Sequence, residues 1–249
     1  MRVFSVFGIS LTGKTTTIEN IIKELIKRNY TVGSVKEIHY DKFAIDTPNS
    51  NTDRHKKAGS QLVIARGYNE TDVLYQSKLP MEDILRFYNH DFVILEGVTD
   101  CNVPKIISAA TTEEIDERLD DTVFAISGKI SNEISEYRGI PVINGVKDIE
   151  KLVNLIEKKV FAKLPDFPPE CCSACGYDCS ELAIRILQGK SKRGDCTLAE
   201  SGIKLFIDDK EIEMVPFVKN ILHNAVDGVV SELNGYRPGA KIEIKIGGI

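Results

Sequence analysis

Short apolar runs alternate with amphipathic segments from Met1 to about Ala162, a pattern that predicts an α/β domain with a mostly parallel sheet flanked by helices. Strands are expected at Val3–Phe7, Thr31–Ile38, Asp72–Gln76, Phe92–Leu95, Lys105–Ser108, Val123–Ser127 and Pro141–Ile143. Helices are expected at Thr15–Arg28, Asp53–Arg66, Pro80–Tyr88, Glu113–Arg118 and Asp148–Ala162. In the first helix Ile18, Ile21, Ile22, Leu25 and Ile26 recur at helical spacing, which places them on one stripe.

The pattern changes at Lys163–Glu170, where Pro165, Pro168 and Pro169 favour an extended linker over regular structure. A division follows: a first domain over 1–162, a linker over 163–170 and a small α+β domain over 171–249. In the last part, Ile203–Ile207 and Glu211–Val215 flank Asp208, Asp209 and Lys210 as a hairpin would. Phe217–Leu233 has helical spacing and stops before Gly235 and Pro238. The tail Ala240–Ile246 alternates strictly, as a half-buried strand does.

Composition narrows the classes of partner. Across 249 residues the net charge is −5, and no stretch is dense in Lys and Arg, which argues against nucleic acid or an anionic membrane surface. No apolar run approaches the roughly 20 residues that span a bilayer, and a charged leader is absent, so a cytoplasmic protein is expected. Cys171, Cys172, Cys175, Cys179 and Cys196 cluster, whereas Cys101 stands alone. In a reducing compartment such a cluster reads as a metal site rather than a disulfide framework.

The first chemical motif is FGISLTGKTTTIEN, Phe7–Asn20, which matches G-x-x-x-x-G-K-[ST] at Gly8, Gly13, Lys14 and Thr15. A buried strand precedes it and a helix follows, so its backbone N–H groups and helix dipole are placed for phosphate. Lys14 is expected to reach the β- and γ-phosphates and Thr15 to ligate Mg²⁺. Glu96 ends the apolar run DFVILEG and is a candidate for the magnesium environment or for general-base work.

Lys36, His39, Asp46, Arg54 and His55 fall in the polar stretch Ser34–Gly59, after a strand and at a helix start, where α/β proteins place ligands. A base-reading N-K-x-D motif is absent and Ser127-Gly128-Lys129 is only a partial substitute, so guanine and adenine both stay open.

Cys172, Cys175, Cys179 and Cys196 have the spacing C-x2-C-x3-C-x16-C, and four thiolates satisfy either a [4Fe–4S] cluster or a zinc ion. A helix at Ser180–Leu187 would bring Cys196 back toward the others.

The phosphate loop together with TVGSVKEIHYDKFAIDTP, DRHKKAG and DFVILEG resembles the MobB family of molybdopterin-guanine dinucleotide biosynthesis adaptors, GTP-binding proteins of the P-loop NTPase fold. The segment from Cys172 to Tyr177, with the following helix, ILQGK and DC, resembles the small [4Fe–4S] domain of corrinoid iron–sulfur proteins and electron-transfer subunits. There the spacing between the second and third cysteine is usually x4, so either Cys171 or Cys172 is left as the first ligand.

These resemblances imply nucleotide on Gly8, Gly13, Lys14 and Thr15, with Thr16 beside them. Asp46 and Glu96 would sit near magnesium, and Lys36, His39, Arg54 and His55 would face cofactor or partner. They further imply a homodimer that binds GTP with Mg²⁺ and hydrolyses it slowly. Its partner would be a molybdopterin nucleotidyltransferase, and an iron–sulfur cluster would occupy the cysteine segment. The competing expectation is a cluster-coupled NTPase serving electron transfer or metal insertion in another metalloenzyme.

Overall fold

The structure, a computed structural model, describes residues 1–40, 43–167, 172, 175–196, 203–208, 210–212, 214, 216–237 and 242–244. The chain divides into two compact units, Met1–Lys163 and Leu164–Ile249.

In the first unit β1 (Arg2–Phe7) leads into α1 (Lys14–Lys27), followed by β2 (Val32–Lys36), α2 (Asn51–Lys57), β3 (Leu62–Arg66) and β4 (Thr71–Tyr75). Next come α3 (Met81–Leu85), β5 (Phe92–Glu96), β6 (Lys105–Ser108), α4 (Thr112–Asp116) and β7 (Val123–Ser127). A 3-10 turn at Lys129–Asn132, the short strands β8 (Glu136–Tyr137) and β9 (Ile140–Pro141), and α5 (Ile149–Lys159) complete it.

The central sheet is parallel in the order β2-β5-β1-β6-β7. Its inner strands are nearly continuous buried runs, with Val3, Phe4, Val6, Val93, Ile94, Leu95, Ile106 and Ile107 all but inaccessible, and Ile126 of β7 is equally buried. Such continuity is what a parallel sheet covered on both faces requires. On α1, Ile18, Ile21 and Leu25 are buried, whereas Ile26, expected on the same stripe, is exposed. Arg28 anchors α1 to α5 through Glu24, Glu157 and Asn154, at 2.7–2.9 Å. Because β5 and β2 lie to one side of β1 and β6 and β7 to the other, β1 is the point where the strand order reverses, the position at which open α/β sheets place ligands.

Several expected elements differ. The helix expected over Asp53–Arg66 stops at Lys57: Gly59 takes φ +103°, and Leu62–Arg66 continues as β3. Leu62, Val63 and Ile64 satisfy both periodicities over so short a run, and antiparallel pairing with β4 decides for strand. The strand expected at Asp72–Gln76 therefore lies in a two-stranded ribbon outside the parallel sheet. Of the strand expected at Pro141–Ile143, Pro141 pairs antiparallel with β8 and Val142 makes one parallel bridge to Ile126. The helix expected to reach Ala162 ends at Lys159, and Ala162 bridges Arg2.

In the second unit α6 (Cys179–Leu187) is capped by Asp178, whose side chain accepts from Glu181 N at 2.7 Å. Leu182, Ala183 and Leu187 are its buried face. A 3-10 turn at Arg193–Asp195 precedes Cys196. The antiparallel strands β10 (Leu205–Ile207) and β11 (Lys210–Ile212) form the expected hairpin, followed by α7 (Pro216–Val230). Of the tail expected as a strand, only Ile242–Ile244 is described, without strand pairing; the rest of Ala240–Ile246 lies outside the described residues.

Candidate functional site

The carboxyl edge of the sheet gathers the loop after β1 with the ends of β2, β5, β6 and β7. Gly8 takes φ +143°, and a Cβ there would stand 2.0 Å from Ser108 O, so only glycine allows the loop to cross β6 this closely. Gly13, at φ +104°, is the N-cap of α1. Among the described residues no side chain caps this helix, and no acidic residue occupies its first turn. Its N-terminal N–H donors and dipole are therefore left to an anion, in contrast to the caps of α2 and α4, which Ser50 and Thr111 supply.

Thr12 Oγ1 bonds Ile9 O and Ser108 Oγ, each at 3.0 Å. Gly128, at φ +91°, lies so close that a Cβ would fall 2.8 Å from Thr12 O, and Lys129 N donates to that oxygen at 3.1 Å. Gly145 packs on Thr17, and its carbonyl accepts from Asn20 at 3.1 Å. The walls of the loop thus come from β6, β7 and the segment before α5. Sequence reading missed Thr12, Ser108 and Gly145, whose roles come from contacts between distant segments.

Lys14 Nζ donates to Ile9 O. Burial lowers its pKa, Glu96 opposes that shift, Lys36 and Arg118 reinforce it, and Glu114 opposes it weakly. Arg118 and Glu114 of the α4 region therefore also lie within electrostatic reach of the loop. Thr15 and Thr16 are exposed in the first turn of α1. Thr15 Oγ1 donates to Glu96 Oε1 at 2.9 Å, and Lys36 Nζ donates to the same oxygen at 2.5 Å. The strand registers explain this convergence: Glu96 stands opposite Val6 of β1 and opposite Lys36 of β2. The hydroxyl and carboxylate oxygens of Thr15 and Glu96 are hard donors at one point, a set that suits Mg²⁺.

Asp46 is placed differently. Lys56 Nζ lies 2.7 Å from Asp46 Oδ2, and Ser50 and Thr52 donate to Oδ1 at 2.7 and 2.9 Å. The Lys56 contact first, then the two hydroxyls, hold its carboxyl down to about 2. Asp46 thereby organises the start of α2. His39, Arg54 and His55 are exposed, and no described contact joins them to Thr15 or Glu96.

In the second unit Cys172, Cys175, Cys179 and Cys196 are free thiols; Cys171 lies outside the described residues. Burial pushes the Cys179 thiol up, backbone hydrogen bonds from Phe167 and Asp166 pull it down, and the neighbouring Cys196 adds a small upward push. Cys175 Sγ donates to Tyr177 O at 3.4 Å. Among the described residues, however, no three Cys, His, Asp or Glu groups are gathered as a metal site. No helix among them is long and apolar enough to cross a membrane.

A Methanocaldococcus jannaschii relative, provisionally named a molybdopterin-guanine dinucleotide biosynthesis adapter protein, is 28% identical over 253 residues, covering 99% of this chain and 97% of its own. The molybdopterin-guanine dinucleotide biosynthesis adapter protein of Haemophilus influenzae is 27% identical over 158 residues, covering 61% of this chain and 86% of its own. The crystal structure of Bacillus subtilis MobB shares the fold, with a TM-score of 0.54 at 19% identity over 65% of this chain and 99% of that one. The model of the family described as molybdopterin guanine dinucleotide synthesis protein B, MobB, matches residues 3–128, just over half of the sequence, and to that family this chain belongs.

Proposed function

We propose that this chain is a GTP-binding adapter in molybdopterin guanine dinucleotide biosynthesis, holding GTP with Mg²⁺ on Gly8, Gly13, Lys14, Thr15 and Thr16 and serving a partner nucleotidyltransferase. Family membership and the names of its relatives support the pathway. The observation that carries the nucleotide role is the uncapped N-terminus of α1 beside the Thr15–Glu96 pair. Amide donors for phosphate and oxygen donors for a hard cation meet there within one helical turn.

Thr15 and Glu96 would hold Mg²⁺, which when bound would supply positive charge against the phosphates. The chain's own residues do the rest. The loop amides and Lys14 orient the phosphates, the close contacts at Gly8 and Gly128 hold the loop in shape, and Glu96 is the carboxylate placed to order water for slow hydrolysis. His39, Arg54 and His55, exposed on the β2–α2 side, are assigned to partner contact. Calorimetric titration of GTP and ATP in the presence of Mg²⁺, together with capture of the co-purifying transferase, tests this reading. Loss of the site is expected in Lys14→Ala, and a wild-type chain that binds neither nucleotide overturns it.

The cysteine segment is proposed as a [4Fe–4S] site because four thiolates suit a cluster and the segment resembles the small iron–sulfur domain, with Cys172 or Cys171 joining Cys175, Cys179 and Cys196. The described thiols do not form the complete set, and no step of the nucleotide chemistry passes through it. A cytoplasmic homodimer remains part of the proposal. The ribbon of β3 and β4 supports dimerisation, because the directly opposed pairs Leu62–Tyr75 and Ile64–Val73 expose one apolar face. Light scattering decides it, and a monomer at micromolar concentration overturns it.

A further inference from the structure

The geometry points to Lys36 as a resident counter-cation of the metal position: it holds the Glu96 carboxylate while no nucleotide is bound, and yields it to a divalent cation when phosphates arrive to receive the displaced ammonium. This rests on the nucleotide reading above and adds to it a means of coupling metal entry to nucleotide entry.

The first argument is the shared atom. Lys36 Nζ and Thr15 Oγ1 both donate to Glu96 Oε1, at 2.5 and 2.9 Å. A divalent cation coordinated by the Thr15 hydroxyl and the Glu96 carboxylate needs that same oxygen, so the ammonium and the metal compete for it. Burial supplies the second argument. The Glu96 side chain is only 12% exposed, so its charge cannot rely on water alone, whereas that of Lys36 is 57% exposed and can swing away without leaving a buried charge behind. Glu96 is therefore the fixed half of the pair and Lys36 the movable half.

Neighbouring carboxylates have lysines of their own. Glu37 is paired with Lys78 at 2.7 Å, and Asp46 with Lys56 at 2.7 Å. Lys36 is thus committed to Glu96. The ammonium on Glu96 repels a free divalent cation, and a bound polyphosphate offers that ammonium another partner.

The test uses Mn²⁺ alone as a paramagnetic probe of the full-length, metal-depleted, nucleotide-free protein. Wild type is expected to bind it weakly, and Lys36→Met about tenfold or more tightly, because an adjacent positive charge has been removed. Lys36→Gln is measured alongside and should show the same gain. Adding Glu96→Gln to Lys36→Met should abolish the gain. Equal Mn²⁺ affinities in wild type and both Lys36 variants overturn the inference, as does a gain that survives Glu96→Gln. Calorimetry of GTP with Mg²⁺ on the same wild-type sample separates the two claims. GTP binding without the Mn²⁺ gain overturns the role of Lys36 alone, and absence of GTP binding overturns the nucleotide reading beneath it.

Discussion

The Thr15 hydroxyl and the Glu96 carboxylate are hydrogen-bonded at 2.9 Å although 81 residues separate them in the chain. Insertion of β5 between β1 and β2 makes the contact, by placing the last residue of β5 beside the first turn of α1. A site of this kind is a property of strand order, and each part of it can be removed separately.

Thr15→Ala and Glu96→Gln should each weaken the gain in GTP affinity that Mg²⁺ confers by about 10–100-fold, the range found when a group supporting a metal site is lost. Affinity for metal-free nucleotide should change much less. Calorimetry with Mg²⁺ and with a chelator measures both, and equal losses under the two conditions would place these residues on the nucleotide rather than at the metal.

Lys14→Ala should reduce GTP affinity by about 100-fold, the loss of a charge-assisted contact, without unfolding the protein. Stability should hold or rise. The folded state disfavours the Lys14 ammonium, so its destabilising effect is complete below the lowered pKa and fades as pH climbs toward the ordinary lysine range. Thermal melts from neutral to alkaline pH should show that upward slope in wild type and a flatter one in the variant.

Alanine substitution separates crowded glycines from open ones. Gly59 has φ +103° with none of the described residues within 4 Å of an added Cβ, so Gly59→Ala should cost about 1 kcal/mol of backbone strain. At Gly128 the Cβ would meet Ala109 O at 2.7 Å and Thr12 O at 2.8 Å, and at Gly8 it would meet Ser108 O at 2.0 Å. Both substitutions should cost more than Gly59→Ala and weaken GTP binding as well, read by denaturant unfolding and titration.

Asp46 sets a distinct acid dependence. Its folded pKa is depressed to about 2 by Lys56, Ser50 and Thr52, so its contribution is present above the ordinary carboxylate range and is lost as pH falls through about 2. The stability difference between wild type and Asp46→Asn should therefore be constant near neutrality and shrink on acidification. A difference that does not vary with pH would show that the ion pair with Lys56 does not persist in solution.

Anaerobically prepared protein should be brown, with iron and sulfide in the ratio of one [4Fe–4S] cluster. Cys171→Ser and Cys172→Ser should differ in metal content if only one is a ligand. Stoichiometric zinc in a colourless sample would replace the cluster with a zinc site.

Local pattern alone was enough for the strands that carry the core and for the loop between β1 and α1. Val3–Phe7, Phe92–Leu95, Lys105–Ser108 and Val123–Ser127 are legible because burial on both faces demands continuous apolar runs. The loop holding Gly8, Gly13, Lys14 and Thr15 is legible as the junction of β1 and α1 because the motif sets specific residue types at fixed short spacing between a strand and a helix. Residues 62–66 were not, since an apolar run of that length suits helix and strand alike until β4 pairs with it. Nor could periodicity show that Glu96 faces Thr15, that Lys36 shares its carboxylate, or that Gly8 and Gly128 must be bare to pass Ser108 and Thr12. Those relations depend on the order β2-β5-β1-β6-β7, which is chosen by packing among segments far apart in the chain, whereas a hydrophobic pattern records only which face of each segment seeks burial.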